Sequence, residues 1–295
     1  MSTQSVCSPQ TTAFVLALAW AATAGRAEAQ TVMNATETGG VPTGLQVANR
    51  SKAPDEAWWT GPVSASSADT LPRGHVLVEP YLFDVHSIGS DYVRSLTYLL
   101  YGASDRLTLG AIPTFGSAHL RGSGRARQIG VNDLTLSVQY RLNRATPGAL
   151  VPNVSLVVQQ TLPLGRFDQL NGSPELGIGT GARTTLIGVY AQRVDRLGNG
   201  RPLRARLNVT YGFAPRVRPK GESVYGTASS FRGSEGPGAT TLVDLSVEYS
   251  LNRSWVLATD LVYRRTERTV LIADNGGLSR TLPAAESVSF APAIE

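Results

Sequence analysis

Residues 134–144 read LTLSVQYRLNR. Leu134, Leu136, Val138, Tyr140 and Leu142 alternate with Thr135, Ser137, Gln139 and Arg141. Successive side chains of an extended strand face opposite sides, so this strand has one apolar face and one polar face. Residues 243–253, VDLSVEYSLNR, repeat the pattern, with Val243, Leu245, Val247, Tyr249 and Leu251 opposed to Asp244, Ser246, Glu248 and Ser250. Two environments suit such a strand: a soluble β-sandwich, or a barrel with lipid outside and water within.

Working outward, further strand-like segments occupy residues 75–83, 92–101, 107–115, 131–142, 151–162, 182–192, 203–213, 241–251, 255–264 and 287–295. Most have about ten residues, the length a tilted strand needs to cross a bilayer. Their connections are expected to alternate long and short from the first onward. The short ones are 102–106, 143–150, 193–202 and 252–254, and the long ones include 116–130, 163–181, 214–240 and 265–286. Outer-membrane barrels segregate loops in this way, with short periplasmic turns and long outer loops. A soluble sandwich has no reason to do so. Aromatic residues toward the strand ends (Phe83, Tyr101, Phe115, Tyr140, Tyr190, Tyr211, Phe213, Tyr249 and Tyr263) would form two interfacial girdles. The fold expected is therefore all-β, an antiparallel up-and-down transmembrane β-barrel with ten strands visible.

The energetics of lipid contact fixes the facing. In residues 203–213, Leu203, Ala205, Leu207, Val209, Tyr211 and Phe213 oppose Arg204, Arg206 and Asn208. A slip of one residue would turn each Arg toward lipid, at about 2–4 kcal/mol near the bilayer midplane. Pro80 and Pro113 lie inside strands, where neither can donate to a ladder, so a bulge or irregularity is expected at each.

Composition agrees with strands and turns. Of 295 residues, 17% are charged and 30 are glycine, a poor mixture for charged amphipathic helices. Residues 13–24, AFVLALAWAATA, form an apolar run too short to span a bilayer, and Ala27-Glu28-Ala29 has the small-x-small form of a cleavage site. Residues 1–29 thus read as a secretory signal, although no Lys or Arg precedes the run. Cleavage after Ala29 would remove Cys7, the single cysteine, and with it any disulfide or thiol chemistry. Residues 30–56 lack periodicity and read as a disordered periplasmic lead-in, and residues 57–295 as the barrel. Trp58 and Trp59 would anchor at an interface or plug a barrel mouth. The net charge of +5 is dispersed, and the basic stretch Arg121, Arg125 and Arg127 has no interleaved aromatic, so a nucleic-acid partner is not expected.

Several landmarks together resemble a family. They are Trp58-Trp59-Thr60-Gly61-Pro62, Leu71-Pro72-Arg73-Gly74-His75, Val78-Glu79-Pro80-Tyr81, Tyr101-Gly102 with Asp105-Arg106-Leu107, Gly130-Val131-Asn132-Asp133-Leu134, and Leu162-Pro163-Leu164-Gly165. From about Trp58 onward the chain is similar to outer-membrane proteins of the MetA-pathway phenol-degradation family, a transporter family. The resemblance implies a β-barrel in the Gram-negative outer membrane that passes small organic, including aromatic, compounds. Its expected partners are outer-membrane lipid, such solutes and the barrel-assembly machinery. Members of the family continue with a further hairpin. Together with the absence of a terminal aromatic after Phe290, this leads to an expectation of twelve strands in a longer chain, against closure at ten.

Chemistry is sparse. His75, His86 and His119 have no second ligand at metal-like spacing, and no metal or other cofactor is expected. Gly177-Ile178-Gly179-Thr180-Gly181 precedes a strand and has no helix to complete a phosphate loop, so it reads as a flexible loop. An outer-leaflet barrel enzyme acting on lipid would need a Ser–His pair, for which Ser87 with His86 and Ser117 with His119 are weak candidates. The chain is therefore read as a passive channel and not an enzyme, with a closed structural barrel as a further alternative. Lumen-lining candidates are Glu79, Asp133, Gln139, Arg141, Arg183, Arg204, Arg206, Asp244, Glu248, Asp260 and Arg264. Their opposite charges can form a structural salt-bridge network or a polarised constriction.

Overall fold

The computed structural model describes residues 64–87, 90–120, 128–145, 150–170, 176–252, 254–274 and 279–294. The signal and lead-in, the Trp58-Trp59 pair and the Arg121–Arg127 stretch lie outside them. The described chain is all β, and none of its helices is long and apolar enough to cross a membrane. Its strands are β1 (Val76–Ser87), β2 (Ser90–Ser104), β3 (Leu107–Ile112), β4 (Thr114–Leu120), β5 (Gln128–Val131), β6 (Leu134–Arg141), β7 (Asn153–Leu162) and β8 (Thr185–Arg196). There follow β9 (Pro202–Phe213), β10 (Gly233–Gly236), β11 (Thr240–Ser250), β12 (Val256–Thr266), β13 (Thr269–Ala273), β14 (Arg280–Leu282) and β15 (Ala285–Ile294).

Twelve strands form one antiparallel sheet in which neighbours in sequence are neighbours in space. They trace ten passes, because β3–β4 and β5–β6 are each a single pass interrupted. Along β2, Leu99 opposes Ala111 and Leu96 opposes Thr114, so the register runs straight through Pro113. Proline simply lacks the N–H that would keep the two halves one strand, while its carbonyl still accepts from Thr97 N–H at 3.2 Å. The next pass is different. Phe115 opposes Val131 but Ile112 opposes Thr135, so one extra residue is inserted around Asn132-Asp133. This bulge exchanges the two faces: Ile129 and Val131 point outward before it, and Leu136, Val138 and Tyr140 after it. The irregularity expected at Pro80 does not occur. The β1–β2 register is continuous from Val76 to Ser87, and an edge strand tolerates proline.

The alternation read from sequence is realised with inverted polarity for a water-soluble sheet. Along β9, residues 202–212 are buried at every even position, whereas Leu207, Val209, Tyr211 and Phe213 are all more than 40% exposed. Glu248, Asp260 and Ser246 are fully buried on the same inner side. The sheet curls, since inner residues of the first strand, β1, and the last, β15, border one cavity. Among the described residues no ladder joins β1 to β15, and their outward residues Val76, Val288 and Phe290 are all more than 60% exposed.

Loop lengths follow the expected parity only in part. The first connection is short, since Ser87 opposes Ser90, because β1 and β2 run further than their apolar alternation indicates. Residues 142–152, at the short-turn end, are correspondingly long. The three largest loops do gather at the opposite end and knit into a cap. Strands β10, β13 and β14 form a second sheet there, and bridges join Asp168 to Ser223, Val217 to Glu235 and Lys220 to Arg232.

Candidate functional site

The inner face is occupied by residues 64–73, SASSADTLPR, an extended strap that precedes β1. Its small side chains let its backbone lie close to the wall, and Ala65 and Ala68 are almost wholly buried. Ala65 N–H donates to Asp260 Oδ1 at 3.2 Å, and Arg206 Nη1 donates to Ala65 C=O at 2.6 Å. Gln139 Nε2 donates to Ser67 C=O at 2.9 Å, Ser67 Oγ donates to Gln192 Oε1 at 3.0 Å, and Ser155 Oγ donates to Ala68 C=O. Asp69 accepts from Asn153 Nδ2 at 2.6 Å and from Gln192 Nε2 at 2.8 Å. Thr70 Oγ1 donates to Asp105 C=O at 2.7 Å, Leu71 N–H to Thr108 Oγ1 at 2.9 Å, and Arg73 N–H to Asp105 Oδ1 at 3.0 Å. The strap therefore runs from mid-strand to the short-turn end, held by inward polar residues and, at its exit, by Asp105 of the turn between β2 and β3. It leaves beside Gly102, where an added Cβ would stand 2.0 Å from Pro72 C=O. Only a residue without a side chain admits that approach.

Beside the strap lies a charged cluster. Arg204 closes on Glu248 through two guanidinium nitrogens, and Arg206 Nε stands 3.7 Å from the same carboxylate. Asp244 contacts Ser64 and neighbours Asp260. The fold thus brings Arg204, Arg206, Asp244, Glu248 and Asp260 together. Arg141 also faces inward and donates from Nη2 to Asp105 C=O at 2.8 Å, closing the short-turn end.

A cavity of about 690 Å3 opens between the strap and the inner faces of β1, β2, β12 and β15. Glu79, Gln139, Arg206 and Arg264 border it. Its apolar wall is built by Leu77, Tyr81, Phe83, Leu96 and Tyr98, with Tyr81 and Phe83 stacked at 6.1 Å and Tyr98 edge-on to Tyr81 at 5.9 Å. Tyr81 OH donates to Glu79 Oε1 at 2.7 Å.

Two candidates, Arg183 and Asp133, lie outside both the charged cluster and the cavity. Arg183 precedes β8 in an exposed position, because that strand starts at Thr185 and its inward residues are even-numbered. Asp133 is buried at the bulge and serves the cap. It accepts from Gly165 N–H at 3.0 Å, Thr180 N–H at 2.9 Å and Thr180 Oγ1 at 2.7 Å. The stretch read as a flexible loop is thereby pinned: Gly179 lies so close to Gly165 that a Cβ on it would stand 2.5 Å from the Gly165 carbonyl. In the cap, Glu235 is fully buried with neither carboxylate oxygen hydrogen-bonded, and burial raises its carboxyl to about 7 against the pull of Arg216.

The strap and the aromatic wall are not among the lumen-lining candidates read from sequence, and Phe83, expected in an interfacial girdle, borders the cavity instead. The available signal was the run of small residues between the Trp pair and Leu71. No protein-family model and no curated protein sequence matches this chain.

Proposed function

We propose that the chain is an outer-membrane β-barrel, exported by its N-terminal signal, through which small organic solutes pass. The observation that carries this reading is the inverted burial. Leu207, Val209, Tyr211, Leu245 and Leu261, each more than 40% exposed, stand in the outward rows, while Glu248, Asp260 and Asp244 are buried inside. In water that arrangement forfeits the hydrophobic drive to fold, whereas in lipid it satisfies both faces. Long loops gathered at one end and a cavity bordered by charges and aromatics accord with a solute path. The partners are outer-membrane lipid and the assembly machinery that inserts barrels, and no catalytic step is invoked.

The strap supports a second reading, a barrel closed at rest, because it fills the inner face toward the short-turn end. Reconstitution of the mature protein in planar bilayers and in solute-loaded liposomes tests both. Conductance and solute flux above protein-free controls support the channel. A folded, inserted protein without either supports the closed barrel.

A further inference from the structure

Four charged residues border the cavity: Asp69, Glu79, Arg206 and Arg264. Three are engaged. Asp69 is held by Asn153 and Gln192, Glu79 accepts from Tyr81, and Arg206 donates to Ala65 C=O beside Glu248. Arg264 has no hydrogen-bond or ion-pair partner among the described residues, and its side chain is solvent-accessible on the inward phase of β12. Ser287, its register partner on β15, and Ser289 border the cavity next to it. The stacked Tyr81 and Phe83 on β1, with Tyr98 on β2, supply the apolar wall of that space.

We infer that this cavity is a binding site for an organic anion with an apolar body, its carboxylate or other anionic group held by Arg264 and the two serine hydroxyls. An unpaired guanidinium offers a planar fork of donors that matches a carboxylate, and the aromatic wall takes the ring or chain attached to it. A cation would meet the guanidinium of Arg264 at this end of the cavity, where its two register neighbours, Leu242 and Ser287, are not acids. A neutral solute would fill the wall but leave the guanidinium unused. The volume of about 690 Å3 is ample for a single-ring acid. This inference rests on the channel reading for its biological sense, but not for its test.

Benzoate, benzamide and benzylamine share a ring and differ in charge. Their affinities for the purified full-length protein in detergent, measured by titration calorimetry, read the site without transport. Benzoate is expected to bind about tenfold more tightly than either analogue, in line with a charge-assisted contact in a partly wet site. Arg264→Gln should abolish that preference, and Arg264→Lys should restore part of it. Heat-modifiable electrophoretic mobility would show that both variants fold. Benzoate binding no tighter than benzamide, or a preference that survives Arg264→Gln, would overturn the site. Charge-selective binding without flux in liposomes would support the site and overturn the channel.

Discussion

Arg204 on β9 and Glu248 on β11 are register partners whose side chains close on one another inside the curled sheet, with Glu248 fully buried. Arg206, two residues along the same strand, shares that carboxylate at 3.7 Å. Glu248→Gln leaves two inward guanidiniums without their common acid. Removal of one partner from such a buried group costs about 3–5 kcal/mol, whereas replacing both by apolar residues of similar volume is often neutral. Glu248→Gln is thus expected to lower the unfolding midpoint in detergent sharply, and Arg204→Met with Glu248→Leu to recover most of it. Equal midpoints for Glu248→Gln and the native protein would show that the pair contributes nothing.

The strap depends on Asp69, which gathers Asn153 and Gln192 around one carboxylate. Asp69→Ala removes both contacts and is expected to loosen residues 64–73 without disturbing the sheet. Limited proteolysis should then cut the strap faster, and single-channel conductance should rise. Unchanged cleavage would mean that the backbone contacts to Asp260, Arg206 and Ser155 suffice alone.

At Gly102 the close approach of Pro72 C=O leaves no room for a methyl group. Gly102→Ala forces the strap's exit away from the wall, with an expected loss of about 1–3 kcal/mol. Denaturant titration of the folded fraction by gel mobility measures it.

Much of this was legible in the sequence. The ten passes, the inward phase of Arg204, Arg206, Asp244, Glu248 and Asp260, and the outward apolar rows all follow from a period of two enforced by opposite solvation of the two faces. Asp133 lies where the period of two breaks. Its inward phase holds only if the strand is regular, and an inserted residue at the bulge redirects the carboxylate to Gly165 and Thr180. Arg183 failed because strand onset is set by pairing with β9, which begins at Thr185 against Phe213. The strap has no alternation, and its binding partners are spread over strands far apart in sequence, so its run of small residues is the one local trace of it. Nor could periodicity show β10, β13 and β14, which are too short to carry one.

Asp133→Ala should uncouple the cap from the sheet. Each hydrogen bond to a charged acceptor contributes about 1.5–3 kcal/mol, and all three here fall on the loop spanning 163–184. Amide exchange should accelerate at Gly165 and Thr180 while β6 and β7 stay protected.

Glu235 makes the cap sensitive to pH. Its carboxyl is raised from an ordinary 4.5 to about 7, so the folded cap binds a proton more tightly than the unfolded chain. Stability from this group is therefore greatest below about 4.5, falls as pH rises toward about 7, and is flat above. Glu235→Gln should remove that slope, as read by amide exchange of β10 and β13 across the interval.

The strap also constrains how the molecule is made. Ala65 bonds to Asp260, 195 residues later in the chain, and lies on the concave side of a sheet that curls around it. Threading an extended segment into a finished curl is a slow and rarely used route. The strands are therefore expected to wrap a segment already in place, with the N-terminal residues acting as an internal template for the order of assembly.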